Sequence, residues 1–257
     1  MQQPTVEVED RADGVRVLTL SNPARKNALD DRLLGLLDAA LSPPPAIRAF
    51  LVRGAGGTFC SGYDLTHLGP PASDGRLPDE PLMAFLSRLE RHPVPSVALV
   101  QGAAFGAGFD LASSCDFRVG TPETVFCMPP ARLGLVYSLD GMARATRLVG
   151  LARARSLFLT ARKLDGETAL DWGLLDACLP AQEAEAHALQ LCQTLASHAP
   201  LAVAGMKEVF GLLGRPALGE EERARARSLR AAAFASEDAK EGRAAFLEKR
   251  PPAFKGR

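Results

Sequence analysis

The chain has 257 residues, 47% of them hydrophobic, and its 30 basic residues balance 30 acidic residues to a formal net charge of zero. This length and composition exclude a disordered chain and suit one large globular domain, or a main domain with a helical appendage. The balanced charge gives no broad attraction to nucleic acid or to an anionic membrane. No segment approaches the roughly 20 apolar residues that cross a bilayer, and the N-terminus lacks a signal-peptide pattern. We therefore expect a cytoplasmic protein with no nucleic-acid or membrane partner.

The first predicted elements in chain order are strands 6–8 and 15–20, which flank an Asp-Gly turn and are typical of a hairpin. Residues 27–41 repeat Leu at helical spacing and predict a helix. The short apolar runs 47–52 and 96–100 are bounded by Pro or Gly and predict buried strands. Each of these two strands ends at a glycine-bearing turn, so we expect the chemistry at strand ends.

The second half of the chain is predicted to be mainly helical. Two more short strands, 116–119 and 124–127, precede helices at 140–149 and 152–159. From about residue 182 onward the pattern is helical, rich in Ala, Leu, Glu and Arg, and it predicts helices at 184–195, 201–213, 220–234 and 238–249. The loop 69–81, with four Pro and two Gly, is the best candidate for a mobile segment that folds over a ligand.

The cysteines and histidines predict no metal site. The five cysteines are odd in number, widely spaced and set among apolar residues, with no CxxC pair, so we interpret them as reduced core thiols. Cys60, beside the first glycine-bearing turn, is the one to examine for reactivity. The four histidines show no pair at metal-ligand spacing that nearby acids or cysteines support.

The two glycine-bearing turns are the most informative segments. Residues 102–110, with the sequence GAAFGAGFD, place small residues at a turn before a helix, so that backbone N–H groups can face a ligand. Residues 54–65, GAGGTFCSGYDL, form a second such turn. Two N–H groups from separate loops can together hold one carbonyl oxygen, which is how an oxyanion hole is built from backbone alone.

These two turns, together with the segments 22–29, 169–175 and 249–257, resemble the motifs of the enoyl-CoA hydratase/isomerase superfamily, also called the crotonase superfamily. The resemblance spans nearly the whole chain. It implies an α/β fold, a crotonase-like spiral of repeated strand-strand-helix units followed by a helical C-terminal trimerisation region. We assign residues 1–195 to the spiral core with the acyl-CoA site and residues 196–257 to the helical region. The resemblance also implies a homotrimer or a hexamer, and no cofactor beyond coenzyme A as part of the substrate.

The resemblance assigns the oxyanion donors to the backbone N–H groups of Tyr63 and Ala107. Hydratases of the superfamily use two glutamates, and the matching positions here hold Asp110 and Pro130. Aspartate is one methylene shorter and proline exchanges no proton, so the water-activating pair is incomplete. Asp110 is then either a base or water holder on the substrate side, or a carboxylate that the helix dipole favours.

Residues 129–138 resemble the subgroup of the superfamily that includes methylmalonyl-CoA decarboxylase, which has Pro at the second glutamate position and Tyr seven residues later. Decarboxylation fits the missing base, because loss of carbon dioxide itself creates the enolate. Tyr137 then either donates a proton or simply closes the acyl pocket. We prefer decarboxylation or a related lyase step over an enoyl-CoA hydratase or isomerase with altered catalytic residues. Asp140 is an alternative base, although a first-turn acid is the simpler interpretation.

The remaining site predictions concern substrate binding. By resemblance, residues from four segments hold the coenzyme A portion: Ala24, Arg25, Lys26, Ser61, Gly62, Asp64, Leu65, Gly106, Phe254 and Lys255. Pro130, Leu133 and Ser138 are predicted to line the acyl pocket.

Other classes of function fit less well. The glycines at 54–57 lack the spacing of a dinucleotide-binding turn, and no Gly-x-Ser-x-Gly elbow supports a serine hydrolase. A non-catalytic crotonase fold that binds RNA is a further alternative. It requires an exposed basic face, and its one candidate is the helix that carries Arg223, Arg225, Arg227 and Arg230.

Overall fold

The computed structural model describes residues 3–44, 46–214 and 219–255. Its larger sheet has six strands, in the order β1-β2-β3-β4-β6-β9. β1 and β2 are antiparallel, and every other neighbouring pair is parallel. The strands are β1 (Thr5–Asp10), β2 (Val15–Ser21), β3 (Ala49–Gly54), β4 (Ser96–Val100), β6 (Phe117–Gly120) and β9 (Ala177–Cys178).

A smaller sheet lies at the ends of these strands. It contains β5 (Ala103–Phe105), β7 (Val125–Cys127) and β8 (Lys163–Asp165), in the order β5-β7-β8. β5 and β7 are parallel, whereas β7 and β8 are antiparallel. β5 follows β4 after two residues, and the glycine at its end, Gly106, leads directly into helix α3 (Ala107–Ser114).

Nine helices lie in the described residues: α1 (Asp31–Ala40), α2 (Glu80–Arg91), α3 (Ala107–Ser114), α4 (Leu139–Thr160), α5 (Gly166–Asp171), α6 (Ala181–Ser197), α7 (Pro200–Leu213), α8 (Glu220–Ala235) and α9 (Glu237–Leu247). α4 is broken at Gly150, whose φ of 78° and ψ of 158° are not helical. None of these helices is both long and apolar enough to cross a membrane.

Apolar residues on both faces of the larger sheet explain the layers. β4 is buried along its whole length, as expected of a parallel strand that is covered on both sides. One face packs against α1, α2 and α3 through large residues such as Leu33, Leu86 and Phe109. The other face packs against α6 through small residues such as Ala184, Ala188 and Cys192. α6 therefore lies close against the sheet and belongs to the core.

The α/β crotonase-like fold predicted from the sequence is confirmed, with local corrections. The predicted helix 27–41 begins only at Asp31, because Lys26 and Asn27 have left-handed φ values of 50° and 57°. The Asn27 side chain donates to the carbonyl oxygens of Ala55 and Thr58 and so fixes this turn. The strands β5, β8 and β9 and the helices α2 and α5 were not predicted. The boundary at residue 195 stays a prediction, and it falls two residues before α6 ends.

Candidate active site

The backbone N–H groups of Tyr63 and Ala107 are both open, that is, without a hydrogen-bond partner among the described residues. Leu29 pairs with Tyr63 in a parallel bridge in which the Leu29 N–H donates to Gly62 and the Asp64 N–H donates to Leu29. The Tyr63 N–H therefore points to the other side. Ala107 is the first residue of α3, where an N–H has no partner within the helix. Neither N–H donates to another described residue.

Two glycines with positive φ aim these donors. Gly62 has a φ of 119° and Gly106 a φ of 52°, and each directly precedes one of the open N–H groups. The loops touch here, because a Cβ added to Gly62 would lie 3.0 Å from the Phe105 carbonyl oxygen and 4.0 Å from the Ala107 nitrogen. The arrangement brings two donors from separate loops side by side, which suits a developing oxyanion.

Both donors face a cavity of about 870 Å³ with mainly apolar walls. Most of the binding residues predicted from the sequence line it: Arg25, Lys26, Ser61, Gly62, Tyr63, Asp64, Leu65, Gly106, Ala107, Pro130, Leu133, Tyr137 and Phe254. Ala24, Asp110, Ser138 and Lys255 lie outside the lining. The cavity is large enough for an extended ligand, since small-molecule sites span roughly 300–1,000 Å³.

Tyr137 connects the cavity to a buried ionic cluster. Its hydroxyl donates to Asp110 Oδ2 at 3.0 Å, and burial followed by the nearby Asp110 charge raises the Tyr137 pKa well above its ordinary value. Tyr137 therefore keeps its proton far into the alkaline range. Arg144 binds both Asp110 oxygens, from Nε to Oδ1 at 2.8 Å and from Nη2 to Oδ2 at 3.0 Å.

The sequence analysis did not identify Arg144. It is 2% exposed, and its third guanidinium nitrogen, Nη1, donates to Glu90 at 2.9 Å. Burial lowers the pKa of Arg144, but Asp110 and Glu90 together raise it above the ordinary value. Asp110 is thus a carboxylate beneath the cavity wall with both oxygens occupied, and it orients Tyr137. This geometry does not suit the alternative role of Asp110 as a water holder on the substrate side.

A second buried pair, Asp79 with Arg230, was also not identified from the sequence. Asp79 lies within the predicted loop 69–81, directly before α2, and lines the cavity, and Arg230 comes from α8. Arg230 Nη2 donates to Asp79 Oδ2, whereas Asp79 Oδ1 and Arg230 Nε are buried without a partner among the described residues. Burial raises the pKa of Asp79 above 3.8, although Arg230 opposes the shift.

Most of the predicted coenzyme A residues line the cavity. Arg25 Nη1 binds Asp64, whose other oxygen accepts from the Thr66 N–H and hydroxyl. Ser61 ties this turn together, because its hydroxyl donates to the Arg25 carbonyl and its N–H donates to the Lys26 carbonyl. Arg25 and Lys26 are exposed at the rim, as cations that meet phosphates must be.

The C-terminal helix α9 covers the cavity through close backbone contact. A Cβ added to Gly242 would lie 2.5 Å from the Leu133 carbonyl carbon, and one added to Gly134 would lie 2.6 Å from Asp238. This approach brings Ala245 and Phe246 to the lining. Farther along the tail, the Lys255 N–H donates to Asp238 Oδ1 at 2.6 Å.

Several other residues that the sequence analysis singled out lie outside the cavity lining. Ser138 caps α4 by accepting from the Gly141 N–H at 3.1 Å, and Asp140 is an exposed acid in the first turn of that helix. The Cys60 thiol is buried, and burial raises its pKa to about 12, so reactivity toward solutes is not expected. Arg230 is buried and Arg227 binds Glu220, so the arginines of α8 do not share one exposed basic face.

The comparisons with known proteins decide the family. The family model described as "Enoyl-CoA hydratase/isomerase" matches residues 10–257. The chain belongs to this family, the crotonase superfamily. Its members act on acyl-CoA thioesters, and the chain is accordingly a crotonase-superfamily enzyme that acts on an acyl-CoA.

Individual relatives differ in their reactions. The chain is 32% identical to methylmalonyl-CoA decarboxylase from Escherichia coli (strain K12), over 94% of this chain and 95% of that protein. It is 34% identical to carnitinyl-CoA dehydratase from Citrobacter koseri, over 93% of this chain and 94% of that protein. A solved methylmalonyl-CoA decarboxylase in complex with 2-nitronate-propionyl-CoA superposes with a TM-score of 0.91 at 32% identity, covering 98% of this chain and 99% of that one.

Proposed function

We propose that this crotonase-superfamily enzyme decarboxylates a malonyl-type acyl-CoA. One observation carries the proposal: the carboxylate at the first glutamate position, Asp110, is fully engaged by Arg144 and Tyr137 beneath the cavity wall, and the second position is Pro130. No pair of carboxylates at these two positions is left to hold and activate water, whereas the two open N–H groups remain for an enolate. The similarity to methylmalonyl-CoA decarboxylases supports the same reaction.

The reaction follows from the geometry of the donors. The thioester oxygen accepts from the Tyr63 and Ala107 N–H groups. The bond between the α-carbon and the carboxylate breaks, its electron pair forms the enolate, and carbon dioxide leaves. A proton on the α-carbon completes the reaction. Each oxyanion donor is worth about 3 kcal/mol of transition-state stabilisation, so two donors make the enolate accessible without a base.

The coenzyme A portion binds at the rim beside Arg25 and Lys26. Their charges face the phosphates, and Ser61, Asp64 and Leu65 hold the turn that positions them. Phe254 lines the cavity from the C-terminal tail. Lys255 is a further cation for the nucleotide, and the chain needs no cofactor besides the coenzyme A of its substrate.

The direct test incubates the purified protein with methylmalonyl-CoA and, separately, with crotonyl-CoA, and follows both by mass spectrometry. We expect loss of carbon dioxide from the first and no hydration of the second. Tyr137→Phe is expected to lower kcat/KM for decarboxylation about 10-fold, the effect of one hydrogen bond of about 1.4 kcal/mol. Useful hydration of crotonyl-CoA would contradict the proposal and favour the hydratase alternative.

A second variant tests the oxyanion donors. Gly62→Ala introduces a Cβ 3.0 Å from the Phe105 carbonyl oxygen at a φ of 119°, so the Tyr63 N–H must move. We expect kcat to fall by about 10²-fold or more. Gly75→Ala is the matched control, because Gly75 has a φ of 82° and open space around its Cβ position. Equal rates for both variants would argue against the assignment of the Tyr63 N–H.

We also propose that the chain forms the homotrimer or hexamer implied by its resemblance. Helix α7 supports this, since Leu201, Phe210 and Leu213 are 88%, 71% and 75% exposed. Large apolar residues exposed in this number on one helix are typical of an interface. Analytical ultracentrifugation should give three or six copies for the wild type and a smaller species for Phe210→Glu. A monomeric wild-type protein would contradict the proposal.

A further inference from the structure

The reaction proposed above requires a group that donates a proton to the α-carbon of the enolate. Tyr137 lines the cavity, but its hydroxyl hydrogen is donated to Asp110. If Tyr137 gave up this proton, a phenolate would form directly beside the Asp110 carboxylate. Arg144 offsets only part of that repulsion, because its single positive charge is already paired with the carboxylates of Asp110 and Glu90. Tyr137 is therefore a poor proton donor in this arrangement.

Asp79 has the features that Tyr137 lacks. It lines the same cavity, it is 6% exposed, and its Oδ1 has no hydrogen-bond partner among the described residues. By contrast, Asp64, which also lines the cavity, has both oxygens engaged, by Arg25 and Thr66. A buried carboxylate oxygen without a partner is costly, and such an atom on a residue that lines a cavity indicates a proton or a ligand group that would pair with it.

The groups around Asp79 define how it titrates. Arg230 on α8 binds Oδ2, and Glu80 follows Asp79 on its own helix α2. Tyr63 and Tyr137 lie close enough for Asp79 to influence their hydroxyls. Arg230 is the one cation in this set, and it makes a single hydrogen bond to Asp79 although a guanidinium can make two to a carboxylate. The Asp79 carboxyl thus has one oxygen, Oδ1, that can carry a proton.

We propose that Asp79 takes up a proton when an acyl-CoA with a carboxylate on its acyl group enters the cavity, and that it then delivers this proton to the enolate. This inference rests on the proposed function. Two carboxylates in one cavity with mainly apolar walls cannot both stay ionised easily, so the substrate carboxylate drives proton uptake. Carbon dioxide then leaves, the Asp79 O–H bond breaks, and the α-carbon gains the proton. Asp79 returns to a carboxylate that Arg230 stabilises, and one proton is consumed per carbon dioxide.

The test measures proton uptake without any reaction. The probe is 2-carboxypropyl-CoA, a thioether that has no thioester carbonyl and cannot lose carbon dioxide through an enolate. Isothermal titration calorimetry at pH 7 in buffers of different ionisation enthalpy gives the protons bound per ligand. We expect close to one proton for the wild type, and close to none for Asp79→Asn or for propyl-CoA, which lacks the carboxylate. Wild-type binding without uptake, or no binding of the probe, would overturn the inference.

The kinetic arm uses methylmalonyl-CoA. Asp79→Asn should lower kcat at least about 100-fold, the usual effect of removing a general acid, whereas Tyr137→Phe should cost only about 10-fold. Asp74→Asn is the matched control, because Asp74 is an exposed carboxylate in the same loop that binds Arg76. Decarboxylation by Asp79→Asn at the control rate would overturn the inference and leave the proposed function intact. Uptake that depends on Asp79 in a protein that releases no carbon dioxide would retain proton uptake at Asp79, but would reject the delivery step together with the proposed function.

A second variant guards against a folding defect in Asp79→Asn. Arg230→Met removes the cation that favours the carboxylate, so Asp79 should hold its proton at a higher pH. The pH at which ligand-linked uptake is greatest should then move upward relative to the wild type. An unchanged pH maximum in this variant would show that another group takes up the proton.

Discussion

Two buried aspartate–arginine pairs border the cavity, and they differ in how completely they are satisfied. Asp110 accepts from Arg144 at both oxygens and from Tyr137 as well, and Arg144 continues to Glu90. Asp79 and Arg230 share one contact and leave an acceptor and a donor unpaired. Burial of charge is offset only by full hydrogen bonding, so the first pair is held in one arrangement, whereas the second leaves an acceptor and a donor available. We call Asp110–Arg144 the closed pair, which positions Tyr137, and Asp79–Arg230 the open pair, which can exchange a proton.

The largest expected effect comes from breaking the closed pair. Arg144→Met leaves the Asp110 carboxylate buried with only the Tyr137 hydroxyl, and such a loss costs about 3–5 kcal/mol. Urea unfolding of the variant should show this decrease in the free energy of unfolding. Arg147→Met is the matched control, because Arg147 binds the same Glu90 but its side chain is 34% exposed, and it should cost less than about 1 kcal/mol. Similar decreases in the free energy of unfolding in the two variants would mean that the buried ion pair contributes no more to stability than an exposed one.

Breaking the open pair should cost less. In Arg230→Met the Asp79 carboxyl can bind a proton and become neutral, so the penalty is that of an unsatisfied polar group, about 1–3 kcal/mol. The same urea experiment at pH 7 compares this variant with Arg144→Met. A loss as large as that of Arg144→Met would show that Asp79 stays ionised and that the two pairs do not differ.

The pH dependence of stability distinguishes the pairs in another way. Burial raises the folded-state pKa of Asp79 above its unfolded value near 3.8, so the folded protein holds this proton more tightly than the unfolded chain. The contribution is fully present below about pH 3.8 and is lost as the pH rises through the raised pKa. Relative to Asp79→Asn, the free energy of unfolding of the wild type should therefore fall over this interval, by about 1.4 kcal/mol for each pH unit that separates the two pKa values.

Denaturation of the wild type and of Asp79→Asn at several pH values between about 3 and 8 measures this difference. A free-energy difference that stays constant over this interval would show that the pKa of Asp79 is the same in the folded and unfolded states. The measurement needs no substrate, so it tests the open pair independently of the reaction.

The sequence predicted the parts of the site that depend on local pattern. Gly62 and Gly106 directly precede the Tyr63 and Ala107 N–H groups, so a few adjacent residues encode each donor. The arginine partners were not predictable in this way. Arg144 lies 34 residues from Asp110 and Arg230 lies 151 residues from Asp79, and no spacing rule joins residues so far apart. Only the packed fold brings them together.

Most of the parts of the fold that were not predicted likewise lack a local sequence pattern. Strands β5, β8 and β9 have three, three and two residues, too few for an alternating pattern to appear. The late start of α1 depends on the long-range bonds of Asn27 to residues 55 and 58. Most of the longer strands and helices were predicted because their own apolar periodicity specifies them, but helix α2, with 12 residues, was missed.

The smallest expected effect compares the helix caps nearest the two pairs. Ser138 caps α4, which carries Arg144, and Ser236 caps α9, which follows the helix of Arg230. Each serine hydroxyl accepts from one backbone N–H of the first turn, at 3.1 Å and 3.0 Å, so Ser138→Ala and Ser236→Ala should each cost about 1 kcal/mol. Urea unfolding should give similar losses, but decarboxylation should slow more in Ser138→Ala, because the first turn of α4 joins Tyr137 to Arg144. An equal decrease in kcat for both variants would show that the closed pair does not position Tyr137 through α4.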